Sequence, residues 1–196
     1  LFVTDIRGCN NKKVFEMVAA VAAESEFNAP DLSLPLQSCD QEVIRFEPTT
    51  PISSSSYFWS FGDGDTITTA TNTSTNAETN HLYATTGNYT ISLEVTTDDG
   101  CVSAQSIDVT VNSIPTAAFS VGTACELSPM DFINQTINDD PNNPILLNWD
   151  FGNSAVTTTS QFPSGGNANN TYMSAGFYTA TLIATSMGCI SAPFAS

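Results

Sequence analysis

Two stretches of this chain alternate side-chain character almost residue by residue: "YTISLEV" at 89–95 and "YTATLIA" at 178–184. A period of two sends successive side chains to opposite faces of an extended backbone, so each stretch predicts a half-buried β-strand. Both are rich in the β-branched and aromatic residues that strands favour. Gly-Asp-Gly at 62–64, Thr-Gly-Asn at 86–88 and Asp-Asp-Gly at 98–100 fall between such runs, where hairpins need residues that reverse tightly. About seven short strands in roughly 90 residues predict a two-sheet sandwich. The 196 residues have room for two of them.

The segment "KKVFEMVAAVAAESEF" at 12–27 reads differently, because its alanines favour helix and Val14, Met17, Val18 and Val21 would share one helical face. An internal repeat overrides that reading. "LFVTDIRGC", "LEVTTDDGC" and "LIATSMGC" end at Cys9, Cys101 and Cys189, at intervals of 92 and 88 residues. Ahead of the latter two, Trp59, Phe61, Tyr83, Gly87, Tyr89 and Leu93 answer to Trp149, Phe151, Tyr172, Gly176, Tyr178 and Leu182. Cys39 and Cys125 each stand seven residues before a phenylalanine, Phe46 and Phe132. The register lays 12–27 over "AQSIDVTVNSIPTAAF", so a strand followed by a linker is predicted there. The expected organisation is the C-terminal strands of a preceding repeat at 1–22, one full domain at 23–113, and a second at 114–196 with its last strand incomplete. Beginning in mid-strand without an initiator methionine, the sequence reads as a piece of a longer chain.

Charge narrows the function classes. Arg7, Lys12, Lys13 and Arg45 are the only basic residues against 20 acidic ones, giving a net charge of −16, and none lies beyond residue 45. The thirteen acidic residues after that point are therefore expected to lack lysine or arginine partners within their own stretch, leaving spacing, salt or cations to relieve their repulsion. Such a surface repels phosphate backbones and anionic lipid, which argues against nucleic acid and membrane surfaces as partners. No apolar run reaches the roughly 18 residues of a bilayer span. "VFEMVAAVAA" loosely resembles the apolar part of a signal peptide, but Glu16 interrupts it and Cys9 precedes it. Five cysteines without a Cys-x-x-Cys pair, and a single histidine, His81, do not assemble a zinc site of ordinary spacing. Disulfides, and hence a secreted or surface location, are the expectation.

The string "YFWSFGDGD…NHLYATTGNYTISLEVTTDDG" resembles the polycystic-kidney-disease (PKD) domain, through Trp59, Phe61, Gly62, Asp63, Gly64, His81, Tyr83, Gly87, Tyr89 and Thr90. The second unit keeps Trp149, Phe151, Gly152, Tyr172, Gly176, Tyr178 and Thr179, but has Asn153 and Ser154 for Asp-Gly and Asn170 for the histidine. The resemblance implies an all-β chain of tandem immunoglobulin-like sandwiches. The cysteine-bearing version of the repeat is similar to those in very long surface proteins of Bacteroidota-like bacteria.

Within that frame the candidate chemistry has structural readings. Asp63 and Asp65 flank a glycine, a composition met in calcium loops, yet the other oxygen ligands and closing glutamate of an EF-hand are missing. The preferred role for the turn is conformational, with aspartate bonding nearby amides, and Asn153 and Ser154 keep the turn without its charge. Asp63 and Asp65 remain the candidates for a cation such as Ca2+, followed by the Asp139–Asp140 loop; no other cofactor is expected. His81 has no partner in a catalytic motif and is expected beside a tyrosine corner around Tyr83 and Tyr89. Trp59 and Trp149 could stack on sugars, but share a sheet face with other aromatics and are assigned to the core. Asp65-Thr66-Ile67 resembles a bacterial O-glycosylation signal, and Asn72, Asn88, Asn134 and Asn169 begin Asn-x-Ser/Thr sequences that matter in a eukaryotic secretory route.

The cysteines leave two patterns. Each full unit has one before its second strand (Cys39, Cys125) and one after its last hairpin turn (Cys101, Cys189), which suggests bonds within units. In an immunoglobulin-like order those positions lie at opposite ends of the sandwich, on the order of 20 Å apart for a six-residue strand, against about 7 Å between bridged Cα atoms. Head-to-tail stacking favours Cys39–Cys189 across the junction, with Cys9, Cys101 and Cys125 pairing outside this stretch. "NSIPTAAF" with Pro115 gives the joint little slack. The function expected is a non-catalytic spacer or stalk segment of a large extracellular adhesin or surface filament. Its partners would be neighbouring repeats and other copies in a filament, with attachment to a surface glycan or protein. The alternative is a carbohydrate- or protein-binding accessory module of a secreted hydrolase, using exposed aromatics and the loops "ATNTSTNAETN" and "NDDPNNP".

Overall fold

The computed structural model describes residues 2–4, 10–12, 22–32, 34–51, 55–71, 77–139, 143–161 and 165–196. Cys9, Asn72, Asp140 and the strand expected over 13–21 lie outside them, and residues 22–26 are irregular. The described residues contain β-strands and no helix, and no helix is long and apolar enough to cross a membrane. Strands β1 (Phe2–Thr4) and β2 (Asn10–Lys12) pair antiparallel ahead of two immunoglobulin-like sandwiches.

The first sandwich uses β3 (Phe27–Asn28), β4 (Gln37–Cys39), β5 (Val43–Pro48), β6 (Ser55–Ser60), β7 (Thr66–Thr71), β8 (Thr79–Leu82), β9 (Gly87–Thr97) and β10 (Val102–Asn112). Its sheets run β3-β5-β8 and β4-β10-β9-β6-β7, with β4 parallel to the end of β10. The second uses β11 (Phe119–Val121), β12 (Pro129–Asn134), β13 (Ile145–Asp150), β14 (Val156–Gln161), β15 (Ala168–Thr171), β16 (Thr181–Ser186), β17 (Cys189–Ile190) and β18 (Phe194–Ala195). Its sheets run β11-β12-β15 and β14-β13-β16-β17, with β18 also against β16.

The alternation in sequence becomes burial. In β9, Ile91, Leu93 and Val95 are buried, and β13 alternates buried and exposed residues throughout. Each sandwich closes over its own core, one from Phe27 to Val111 and the other from Ala117 to Ala184. A tryptophan stands at the centre of each: Trp59 meets Phe27 edge-on at 5.1 Å and Trp149 meets Phe119 at 5.3 Å. Fully burying an aromatic or aliphatic side chain of this size contributes roughly 1.5–3 kcal/mol.

One difference separates the two bodies. In the first, the end of β10 lies between β4 and β9 and buries Val109 and Val111 in the core. In the second, the strand beside β16 is described as far as Ser196, the last residue of the sequence, which pairs with Ala180, and an apolar groove of about 410 Å³ lined by Val121, Met130, Phe132, Tyr172 and Phe177 lies directly past it.

Candidate functional site

The Gly-Asp-Gly turn is a corner of the fold. The Tyr83 hydroxyl donates to the Phe61 carbonyl at 2.9 Å, and Tyr172 donates to the Phe151 carbonyl at 3.0 Å. Behind each lies a second tyrosine ring at 4.2 Å, Tyr89 and Tyr178, each donating to a backbone carbonyl four residues earlier. Gly87 and Gly176 sit against those second rings, where an added Cβ would lie 3.4 Å from the nearest ring atom. Gly62 and Gly152 have φ of +83° and +70°, and a Cβ there would lie 2.7 Å and 2.5 Å from the carbonyl oxygens of Thr90 and Thr179. Only glycine lets the turn approach the strand so closely.

The acidic residue of the turn acts locally. Asp63 Oδ1 accepts from the Asp65 amide at 3.0 Å, and in the second sandwich Asn153 Oδ1 accepts from the Ala155 amide at 3.1 Å. Gly64 and Ser154 both take positive φ, +105° and +69°. Asparagine and serine thus reproduce the turn without the charge. What the first sandwich adds is a polar pair: His81 Nε2 lies 2.7 Å from Asp63 Oδ2, while the imidazole stacks on Phe61 at 4.0 Å and meets Tyr83 edge-on at 4.6 Å. Burial pushes the Asp63 carboxyl up, but the hydrogen bond from His81, the Asp65 amide and the charge of His81 outweigh it and hold its pKa below the ordinary 3.8. Burial, with Asp63 and Tyr89 nearby, raises the Tyr83 phenol.

Asp63, Asp65 and His81 bring ligand atoms within 4.8 Å of one another. Both Asp63 oxygens already have protein partners, so the turn holds its shape through its own hydrogen bonds. Trp59 and Trp149 are buried in the cores and present no face to a sugar. Thr66 and Asn88 are exposed, and Asp139 is exposed on the loop facing the first sandwich.

The second functional region is the junction. Cys39 and Cys189 form a disulfide with Cα atoms 5.6 Å apart, across 150 residues of sequence. A bond within the first sandwich is excluded by its strand length. Cys101 directly precedes β10, whose other end, Asn112, pairs with Cys39. Ten residues of strand separate these points by ~33 Å, more than the six-residue strand of the sequence reading supplies. Around the disulfide, Asp40 Oδ1 accepts from the Ile114 amide at 2.7 Å, and Ser113 donates to Asn138 Oδ1 at 2.6 Å. Asn138 in turn reaches Ser186, whose hydroxyl donates to the Pro144 carbonyl. Pro115 is buried. The sequence reading names Pro115 but misses Asp40; its one signal is an aspartate directly after a cysteine at a turn.

The basic residue at the edge of the acidic stretch reaches into it. Arg45 pairs with Asp31 at 3.7 Å, Glu47 at 2.8 Å and Glu78 at 3.5 Å, so two acidic residues beyond position 45 do have a guanidinium partner. Antiparallel pairing of β5 with β8 brings Glu78 within reach of Arg45, a proximity invisible in linear spacing. Cys101 and Cys125 are free thiols, half-buried and exposed.

The fold and this corner define an immunoglobulin- or fibronectin-like β-sandwich class. Residues 29–111 match the family model described as the PKD domain. Similar solved structures include fibronectin(III)-like modules of Clostridium thermocellum CbhA, at 14% identity over 87% of this chain and 90% of that one (TM-score 0.41). A two-domain fibronectin type-III segment of chicken tenascin is similar at 10% identity over 81% and 93% (TM-score 0.40). A structure of carbohydrate-binding modules from the β-sandwich superfamily is similar at 13% identity over 89% and 95% (TM-score 0.38).

Proposed function

We propose that this chain is a non-catalytic spacer segment of a large extracellular surface protein, an adhesin or filament, built from successive PKD-type sandwiches of which 114–196 is the second. The observation that carries this is the Cys39–Cys189 disulfide across the junction. A bond closing a loop of 150 residues restricts the unfolded chain by up to about 5 kcal/mol in the chain-entropy picture. It also ties the two bodies at one point of the junction, where the Asp40 and Ser113 hydrogen bonds hold the linker between them. Disulfide chemistry fits an oxidising exterior, and the acidic surface keeps such segments apart from one another and from anionic lipid.

Small-angle scattering tests the reading. The oxidised chain should have the maximum dimension of two sandwiches end to end. Cys39→Ser, or reduction, should broaden the distribution of distances between the two bodies. Identical profiles with and without the disulfide would remove the mechanical role.

A further inference from the structure

Three side chains that the fold does not require meet at one corner of the first sandwich. Asp63 and Asp65 stand in the turn between β6 and β7, and His81 stands in β8, on the opposite sheet. Their ligand atoms, two carboxylate oxygens and an imidazole nitrogen, lie within 4.8 Å of one another. Linear spacing hides the set, because His81 is 18 residues from Asp63 and reaches it only through the fold. His81 is 8% exposed, and its ring is clamped flat against Phe61 and edge-on to Tyr83, so Nε2 is fixed toward the carboxylates. The second sandwich replaces all three residues at once, with Asn153, Ala155 and Asn170. It builds the same turn and the same tyrosine corner without them. The Asn170 amide does not stand in for the imidazole, since its Nδ2 is buried without a hydrogen-bond partner among the described residues. A buried nitrogen donor beside two carboxylates is therefore an addition to the fold and not a part of its shape.

We propose that Asp63, Asp65 and His81 bind a divalent first-row transition ion of the Zn2+, Ni2+ or Cu2+ kind, which clips the two sheets of the first sandwich together. An imidazole with carboxylates suits such an ion, whereas Ca2+ takes roughly six to eight oxygens and gains nothing from a ring nitrogen. With tetrahedral bonds of about 2.0–2.2 Å, neighbouring ligand atoms stand about 3.4 Å apart. The 2.7 Å between His81 Nε2 and Asp63 Oδ2 and the 4.8 Å limit on the trio bracket that separation. The adjustment falls on the exposed Asp63 and Asp65 and spares the packed ring. The ion takes the place of the proton in the His81–Asp63 hydrogen bond, and the ring is left with its proton on Nδ1. Asp63 Oδ1 keeps the Asp65 amide, so the turn is not given up. Three protein ligands leave the fourth position to water. Two carboxylates offset the charge of the ion, on a chain whose net charge of −16 draws cations in general. Because the ligands come from both sheets, binding stabilises the first sandwich and not the second.

The chain holds a single histidine, so its imidazole resonances report this ring and no other. With Cys9→Ser, Cys101→Ser and Cys125→Ser in place to remove competing thiols, Zn2+ is titrated into the chain and followed by ring 15N NMR and calorimetry. The expected result is saturation at one ion per chain, with the Nε2 resonance displaced and the urea midpoint of the first sandwich alone raised. Ca2+ over the same range should leave the ring unmoved. Removing a group that merely orients a metal ligand commonly costs about 10–100-fold in affinity. Asp65→Ala, which copies Ala155 and leaves the His81–Asp63 bond in place, should therefore weaken Zn2+ binding by at least about 10-fold. His81→Asn should abolish it. Asn153→Asp, Ala155→Asp and Asn170→His made together should add a second ion. The site is overturned if Zn2+ leaves the ring resonances unchanged, if Ca2+ matches it, if Asp65→Ala binds as tightly as the parent, or if the triple variant still takes one ion. None of these outcomes touches the Cys39–Cys189 linkage, so the spacer reading stands or falls on its own test.

Discussion

The two sandwiches share the side chains that shape the tyrosine corner and differ at the charged pair beside it. The corner tyrosines, the glycines beneath them and the tryptophan–phenylalanine contacts superimpose in type and distance. By contrast, His81 and Asp63 have Asn170 and Asn153 as counterparts. The lesson is that the Trp-x-Phe-Gly…Tyr-x-x-x-Gly-x-Tyr string is an architectural instruction. The charged members of the string are the ones that change between the two units.

The largest test of that equivalence is at the corner glycines. Gly62→Ala and Gly152→Ala each place a Cβ against a backbone oxygen at positive φ, so each should cost about 2–4 kcal/mol in urea unfolding of its own sandwich. Tolerance at one site and not the other would break the comparison. Next come the phenols. Tyr83→Phe and Tyr172→Phe leave the Phe61 and Phe151 carbonyls without their donors, an expected loss of about 1–3 kcal/mol in each.

A sharper contrast lies beneath the tryptophans. Trp149 Nε1 donates to Thr159 at 3.0 Å, and Thr159 donates on to the Gly166 carbonyl at 2.8 Å. At the same places in the first sandwich, Trp59 Nε1 and Thr69 Oγ1 are buried with no hydrogen-bond partner among the described residues. Thr159→Val should therefore destabilise by about 1–3 kcal/mol, while Thr69→Val should be neutral or slightly stabilising. Equal losses would show that Thr69 has a partner of its own.

The smallest effect is electrostatic. Because Asp63 has a folded pKa below 3.8, it contributes stability that is present above that value and lost as pH falls through the lower folded one. Asp63→Asn should be mild at neutral pH, since Asn153 makes the same turn. The deficit relative to the parent chain should shrink as denaturation is measured from pH 5 downward. The second sandwich should show no such dependence at position 153.

Much of this was legible in the chain itself. Burial in β9 follows the period of two displayed by residues 89–95, and the corner residues recur in the same order in both units, with the Phe-to-Tyr spacing one residue shorter in the second. The disulfide partner of Cys39 needed only strand geometry and a stacking order. What escaped depends on which strands become neighbours: Arg45 acquires Glu78 through the β5–β8 pairing, and Asp40 acquires the Ile114 amide through the fold of the linker.

The central claim is that the two sandwiches are covalently held across their junction. The direct measurement is non-reducing peptide mapping of the oxidised chain after cleavage at acidic residues. The account predicts a peptide pair joining Cys39 to Cys189 that separates on reduction. Recovery of Cys39 joined to Cys101 would contradict it.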